Sequence, residues 1–192
     1  MITDADQTEI LDGALSAFLE FGIRRTSMGE VAKRSNLSPA TLYRRFAQKN
    51  DIVRAVATRE ALRLIEEVDA RIDTSASGEE QVVEGFVAFT QGVRRNKLLT
   101  RLLVTEPELT LPLLTTEAGP FLAMGRHYLA GITRRLQAEG KLQTYEPEPV
   151  AEILARLALS LVLTPDGVIP VDDGAAARNF ARDHITPLVR LT

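Results

Sequence analysis

The chain has 192 residues, 45% apolar and 26% charged, with 23 Lys and Arg against 26 Asp and Glu, the balance of a globular protein of one large or two small domains. It contains no Cys and only two His, which excludes a disulfide framework, a Cys-ligated zinc or iron–sulfur site and a thiol nucleophile, and leads us to expect no metal centre and no cofactor. A chain of this size buries roughly 70% of the surface its unfolded form exposes, so the fold must rest on its apolar core.

The run Met1-Ile2-Thr3-Asp4-Ala5-Asp6-Gln7 carries acids where a signal peptide carries bases, and no apolar stretch follows it. A cytoplasmic protein is therefore expected. Leu157-Ala158-Leu159-Ser160-Leu161-Val162-Leu163 stops at Thr164-Pro165-Asp166-Gly167, far short of the ~20 residues of a membrane helix, and reads as a buried helix with no membrane partner. The net charge of −3 is unevenly spread: between Gly22 and Arg59 nine bases face only Glu30 and Asp51, a local +7, leaving −10 elsewhere. A basic module on an acidic body is the pattern expected where one small part meets phosphate, although a solvated basic face gives the same sum.

In chain order, Ile10, Leu11, Ala14, Phe18 and Phe21 recur at helical spacing, predicting a helix over 7–21 that ends at Gly22. Ser27-Met28-Gly29-Glu30 has the form of a capping box, so a short second helix should run to about Arg34. Ser35-Asn36-Leu37 breaks it, and Ser38-Pro39 restarts a third helix to about Phe46 with a favoured N-cap and a proline at the first helical position. Leu37, Leu42 and Phe46 can turn inward with Val31, Ala32 and Phe18, leaving Pro39, Ala40, Thr41, Tyr43, Arg44 and Arg45 outward. A long helix runs from Lys49 to Ile72, then a loop over 74–78. Helices are predicted over 81–96, 98–105, 121–139, 150–163 and 175–189, with 109–116 ambiguous around Pro112, and no period-2 strand pattern is seen.

A helix, a capped short helix, a tight turn and a second short helix with outward Thr, Tyr and Arg make a helix-turn-helix. Its hydroxyls and guanidinium forks suit phosphate oxygens and base edges in a major groove. The same geometry also serves proteins that bind no DNA, in which case 37–46 would be an ordinary core helix.

The run from Thr26 to Phe46, TSMGEVAKRSNLSPATLYRRF, with Lys49 and Ile52 after it, closely resembles the DNA-binding domain of TetR-family transcriptional regulators. The likeness spans about Ile10 to Val56. It implies an all-α fold, with an N-terminal three-helix helix-turn-helix DNA-binding domain (1–50) joined by a long helix to an all-helical ligand-binding and dimerisation domain (51–192). It further implies a homodimer on a palindromic operator of double-stranded DNA, most often a repressor released by a small-molecule effector. Carried over by position, Ser27 would bind phosphate; Pro39, Ala40 and Thr41 would approach bases and backbone; Tyr43 would contact phosphate; Arg44 base or phosphate; Arg45 phosphate; and Lys49, at the start of the fourth helix, would complete the DNA-binding set. Gly29 replaces a longer side chain with which some relatives read a base, and Gln48 stands where Ser or Thr usually caps that helix.

For the effector, Phe86, Phe89, Thr90, Phe121, Met124 and Tyr128 are candidate walls of an apolar cavity, with Arg101 and His127 as possible partners of an anionic group, core packing and surface placement being the competing readings. A hydrophobic effector, aromatic or fatty-acyl, is favoured over a sugar. For self-association the helices 150–163 and 175–189 resemble in position the family's dimerising pair, with Ala155, Leu159, Val162, Ala177, Phe180, Ala181 and Leu188 as candidates. The alternative function is an all-helical small-molecule or partner-binding protein whose helix-turn-helix does not read DNA. No catalytic residue is expected, since no Gly-rich phosphate loop, G-x-S-x-G elbow or H-E-x-x-H pair occurs.

Overall fold

The structure, a computed structural model, describes residues 4–189. Among them all regular structure is helical: α1 Asp4–Phe21, α2 Met28–Arg34, α3 Pro39–Arg45, α4 Lys49–Asp69, α5 Gly78–Arg95, α6 Lys97–Thr105, α7 Pro107–Leu114, α8 Gly119–Ala138, α9 Pro147–Leu163 and α10 Gly174–Phe180. No helix among the described residues is long and apolar enough to cross a membrane. The chain forms two compact units, one of residues up to 62 together with 96–115, the other of 63–95 together with 116 onward. The unit that carries the helix-turn-helix thus reaches beyond residue 50 to include the start of α4 and all of α6 and α7.

In this first unit Ile10, Ala14, Phe18, Val31, Leu42, Ile52 and Val56 are buried, joined by Leu98 and Leu102 from α6 and lined by Leu109 and Leu113 of α7. Each of the Val, Leu, Ile and Phe side chains contributes about 1.5–3 kcal/mol when fully removed from water. α1 stops at Gly22, whose φ of +83° is open to glycine at little cost. The α2–α3 turn is a Schellman motif, with Leu37 N–H bonded to Ala32 O at 2.9 Å and Asn36 N–H to Lys33 O at 3.2 Å. Asn36 takes the left-handed position at φ 54°, where Asn is the commonest substitute for Gly.

Two local expectations change. The Ser27 hydroxyl caps α2 by accepting the Glu30 N–H at 3.1 Å, but the Glu30 carboxylate accepts from Arg34 Nε at 2.7 Å instead of reaching back. An ion pair one turn along the helix has taken the acid that would have closed the box. Gln48 offers no side-chain cap to α4, yet its N–H donates to Asp51 Oδ2 at 3.1 Å, so Asp51 supplies the return half of a box.

The second unit packs α5 against α10 and α8 against α9. Val83, Ala181 and Ile185 form one buried cluster, and Leu136, Leu142 and Val189 another. Gly125 of α8 faces Ala155 of α9, where an added Cβ would come into van der Waals contact at 3.4 Å from the Ala155 Cβ. Glu152 on α9 accepts from Arg156 Nε at 2.7 Å and from Arg126 of α8 at 3.1 Å. α8 ends in a second Schellman motif, with Gly140 at φ +70° and Lys141 N–H bonded to Leu136 O at 2.9 Å. The last helix departs from the single element expected over 175–189. After α10 it widens into a π turn, Ala181–Ile185, and tightens into a 3₁₀ turn, Thr186–Val189. Pro187 accounts for the break, since it has no N–H to donate and its ring crowds the carbonyl four residues back.

Candidate nucleic-acid interface

α3 is held from behind and open in front. Leu42 is fully buried in the first unit. Ser38 accepts the Thr41 N–H at 3.1 Å and shares a hydrogen bond of 2.9 Å with the Thr41 hydroxyl. On the opposite face Pro39, Ala40, Arg44 and Arg45 are exposed, Thr41 is half-buried, and Tyr43 is 53% exposed. Ser27 is exposed at the start of α2, its oxygen engaged by Glu30 and its proton still available to an acceptor. The structure therefore brings Ser27, Pro39, Ala40, Thr41, Tyr43, Arg44 and Arg45 together on two short helices joined by one tight turn.

The local positive charge is only partly free. Arg34 is tied to Glu30 and to Glu20, the latter at 2.7 Å, and lies 4.9 Å over the Phe21 ring. These carboxylates hold its guanidinium above its ordinary pKa. Arg59 pairs with Asp12 at 2.8 Å and Arg24 with Glu108. Arg45 donates to Gln7, a neutral partner that leaves its charge intact. Arg44 and Lys33 have no partner among the described residues. Lys49 corrects an expectation: its ammonium faces inward, donating to the carbonyls of Ile23 at 2.9 Å, Arg24 at 3.2 Å and Thr26 at 3.0 Å. With all three protons so used it is a clamp on the α1–α2 turn, not a free phosphate donor.

The residues proposed for a ligand do not all come together. Arg101 lies in the first unit, where its guanidinium caps α1 at the carbonyls of Leu19 and, at 3.2 Å, Glu20. An arginine at a helix C-terminus finds its partner in the orphan carbonyls, so no anion is needed to explain it. The other seven lie in the second unit. There Phe86 stacks on Phe180 with centroids 5.8 Å apart, the buried Thr90 hydroxyl donates to Phe86 O and Val87 O at 3.1 Å each, and His127 is exposed. Phe89, Phe121 and Met124 are half-buried. The Tyr128 hydroxyl donates to Asp69 Oδ1 at 3.3 Å, and burial together with the Asp69 charge pushes its pKa well up.

Three candidates for self-association are corrected by burial. Ala155, Ala177 and Ala181 lie inside their own unit, small because helices approach closely there. Phe180 is half-buried against Phe86 and His184. Leu159 and Val162 are half-buried and Leu188 is exposed. Ile153, which sequence reasoning passed over, is 57% exposed on α9; helical phase alone could have found it, since Pro149, Ile153, Arg156 and Ser160 share the exposed face.

Comparison with known proteins agrees with this geometry. Residues 10–56 match the family model described as bacterial regulatory proteins, tetR family, and residues 78–182 match that of the bacterial tetracyclin repressor C-terminal domain. The HTH-type transcriptional regulator AlkX of Mycobacterium tuberculosis is 26% identical over 191 residues, covering 96% of this chain and 87% of that protein. The regulator YhgD of Bacillus subtilis, described as an uncharacterized HTH-type transcriptional regulator, is 22% identical over 156 residues, covering 80% of each. Among solved structures, the TetR-family repressor AlkX from Dietzia sp. superposes with a TM-score of 0.69 at 23% identity, over 95% of this chain and 96% of that one. The transcriptional repressor QsdR of R. erythropolis does so with a TM-score of 0.71 at 22% identity, over 98% and 96%. A helix-turn-helix with its basic side chains outward, continued by a helical body that matches the family's C-terminal part, makes this chain a member of the TetR family, a DNA-binding transcriptional regulator and not an enzyme.

Proposed function

We propose that the protein is a cytoplasmic, homodimeric repressor that reads a palindromic operator through α3 and leaves it when a small hydrophobic molecule binds the helical body. The observation that carries this reading is the outward set on α3, anchored by Leu42 from behind. Arg44, exposed and without a partner among the described residues, reads a base, with the bidentate geometry that favours guanine. Tyr43, Arg45 and the Ser27 hydroxyl bind phosphates, while Pro39, Ala40 and Thr41 set how closely α3 approaches the groove. Residues up to 62 together with 96–115 serve as the reading module, and 63–95 together with 116 onward as the ligand and dimer module. Two copies associate through α9 and the last helix, with Ile153, Leu159, Val162 and Leu188 at the contact, and their α3 helices meet half-sites set by the ~34 Å helical repeat of the duplex.

The half-buried Phe86, Phe89, Phe121, Met124 and Tyr128 favour an apolar effector, aromatic or fatty-acyl, over a sugar. Its entry biases α4 and so the separation of the reading heads. The test is selection of duplexes from a random library, with the mass of the protein–DNA complex measured by light scattering. Recovery of an inverted repeat bound by two chains supports the reading. Recovery of no enriched site rejects it and favours a helical binding protein whose helix-turn-helix does not read DNA.

A further inference from the structure

Glu106 is a carboxylate only 8% exposed, at the junction of α6 and α7. Its backbone is fixed from both sides: the N–H donates to Leu102 O at 2.9 Å, and the carbonyl accepts from the Thr110 N–H at 3.2 Å and the Thr110 hydroxyl at 3.0 Å. Glu106 stands at the N-cap position of α7 but makes no side-chain cap to it. Its Oε2 instead accepts the backbone N–H of Arg24 at 2.9 Å, in the turn between α1 and α2.

The end of α1 and the turn that follows it are held by charged groups of matching sign. Arg101 covers the carbonyls of Leu19 and Glu20, and Lys49 those of Ile23, Arg24 and Thr26. Glu106 takes the amide of the same Arg24 whose carbonyl Lys49 holds, and Glu108 pairs with the Arg24 guanidinium. A Cβ on Gly22 would overlap Glu106 Oε1, and the φ of +83° already disfavours any side chain there. Burying a carboxylate costs several kcal/mol unless it is well satisfied, so an apolar side chain would fill this space more cheaply. What the acid adds is direction, because one hydrogen bond from a fixed backbone locks one peptide plane. Glu106 belongs to the stretch matched by the family's C-terminal model, yet it lies in the compact unit of the reading helices.

We infer that Glu106 is a positioning residue for DNA recognition: by holding the Arg24 peptide it fixes the α1–α2 turn, and with it the angle at which Ser27, α2 and α3 meet the duplex. This rests on the reading of α3 as the DNA-recognition helix. Glu106 itself touches no DNA.

The test uses the full chain and a duplex selected by the unaltered protein, whose binding is measured first. Failure of the unaltered protein to select a duplex overturns the DNA reading and this inference together, whereas the variants bear on Glu106 alone. With binding established, Glu106→Ala is expected to lose about tenfold in affinity, the size of one net hydrogen bond, at a temperature where circular dichroism shows it folded. Glu106→Gln keeps an oxygen that accepts the Arg24 N–H and is expected to stay within about threefold of the unaltered protein. The slope of log affinity against log salt should not change, because no phosphate contact is removed. A Glu106→Ala protein that binds as tightly as the unaltered one overturns the inference, as does a Glu106→Gln protein that falls equally far. If the alanine variant does not fold, Glu106→Asp, with the charge kept and the carboxylate drawn back by one methylene, is read by the same two outcomes.

Discussion

The ammonium of Lys49 lies 2.9 Å from the carbonyl oxygen of Ile23, and this contact sets the fourth helix against the turn that precedes the second. Lys49→Met would leave the carbonyls of Ile23, Arg24 and Thr26 without their donor. The expected loss is about 2 kcal/mol in urea unfolding, discounted because the group is partly solvated. The salt slope of DNA binding should stay as it is. A stable Lys49→Met protein with a reduced slope would return Lys49 to the phosphate contacts.

Arg44 and Arg45 are adjacent but face different tasks. Arg44→Ala is expected to cost about 1–3 kcal/mol in operator affinity and to relax base preference at one position in each half-site. Arg45→Ala should weaken all sequences alike and lower the salt slope by about 1 per half-site. Affinity measured on operator variants at several salt concentrations separates the two.

Gly29 sits in the first turn of α2, and a Cβ there would meet only Ser27 Oγ, at 3.8 Å. Gly29→Ala should therefore stabilise the protein by about 0.5–1 kcal/mol through the lower backbone entropy of the unfolded chain. DNA affinity should not fall. A destabilised variant in thermal or urea unfolding would show that the exposed space at this position is not open.

Tyr128 gives a pH dependence of definite sign. Burial, then the Asp69 charge and the hydrogen bond to it, raise its pKa in the folded state. Above about pH 10 the unfolded chain releases this proton while the folded chain retains it. The stabilisation is thus complete below that pH and declines as pH rises toward the folded value. Unfolding measured from pH 8 upward should show a steeper alkaline loss for the unaltered protein than for Tyr128→Phe. Parallel curves would contradict the placement.

The reading helices were legible because they rest on local rules. Ser27, Ser38-Pro39, Asn36 and Gly22 are cap and turn signals whose partners lie within a few residues, and Leu42 and Phe18 keep to one helical phase. The fates of Lys49, Arg101 and Glu106 were not legible, since their partners are carbonyls and an amide brought near by tertiary folding. A charged residue in a pattern suggests a charged ligand, and here the backbone is that ligand. Ala155, Ala177 and Ala181 failed as contact candidates for a related reason: small residues mark close helix approach, but not whether the neighbour is one's own helix or another chain's. The π turn over 181–185 came from Pro187, whose effect on a helix can be stated beforehand but not the turn geometry that absorbs it.

Whether α3 reads a palindromic operator is tested most directly by a salt titration on a duplex selected from a random library, made with the unaltered protein and with Arg44→Ala. The expected result is an inverted repeat bound by two chains, an affinity that falls steeply with log salt, and a variant that binds more weakly with relaxed preference at symmetric positions. Equal binding of all duplexes, unchanged by Arg44→Ala, would contradict it.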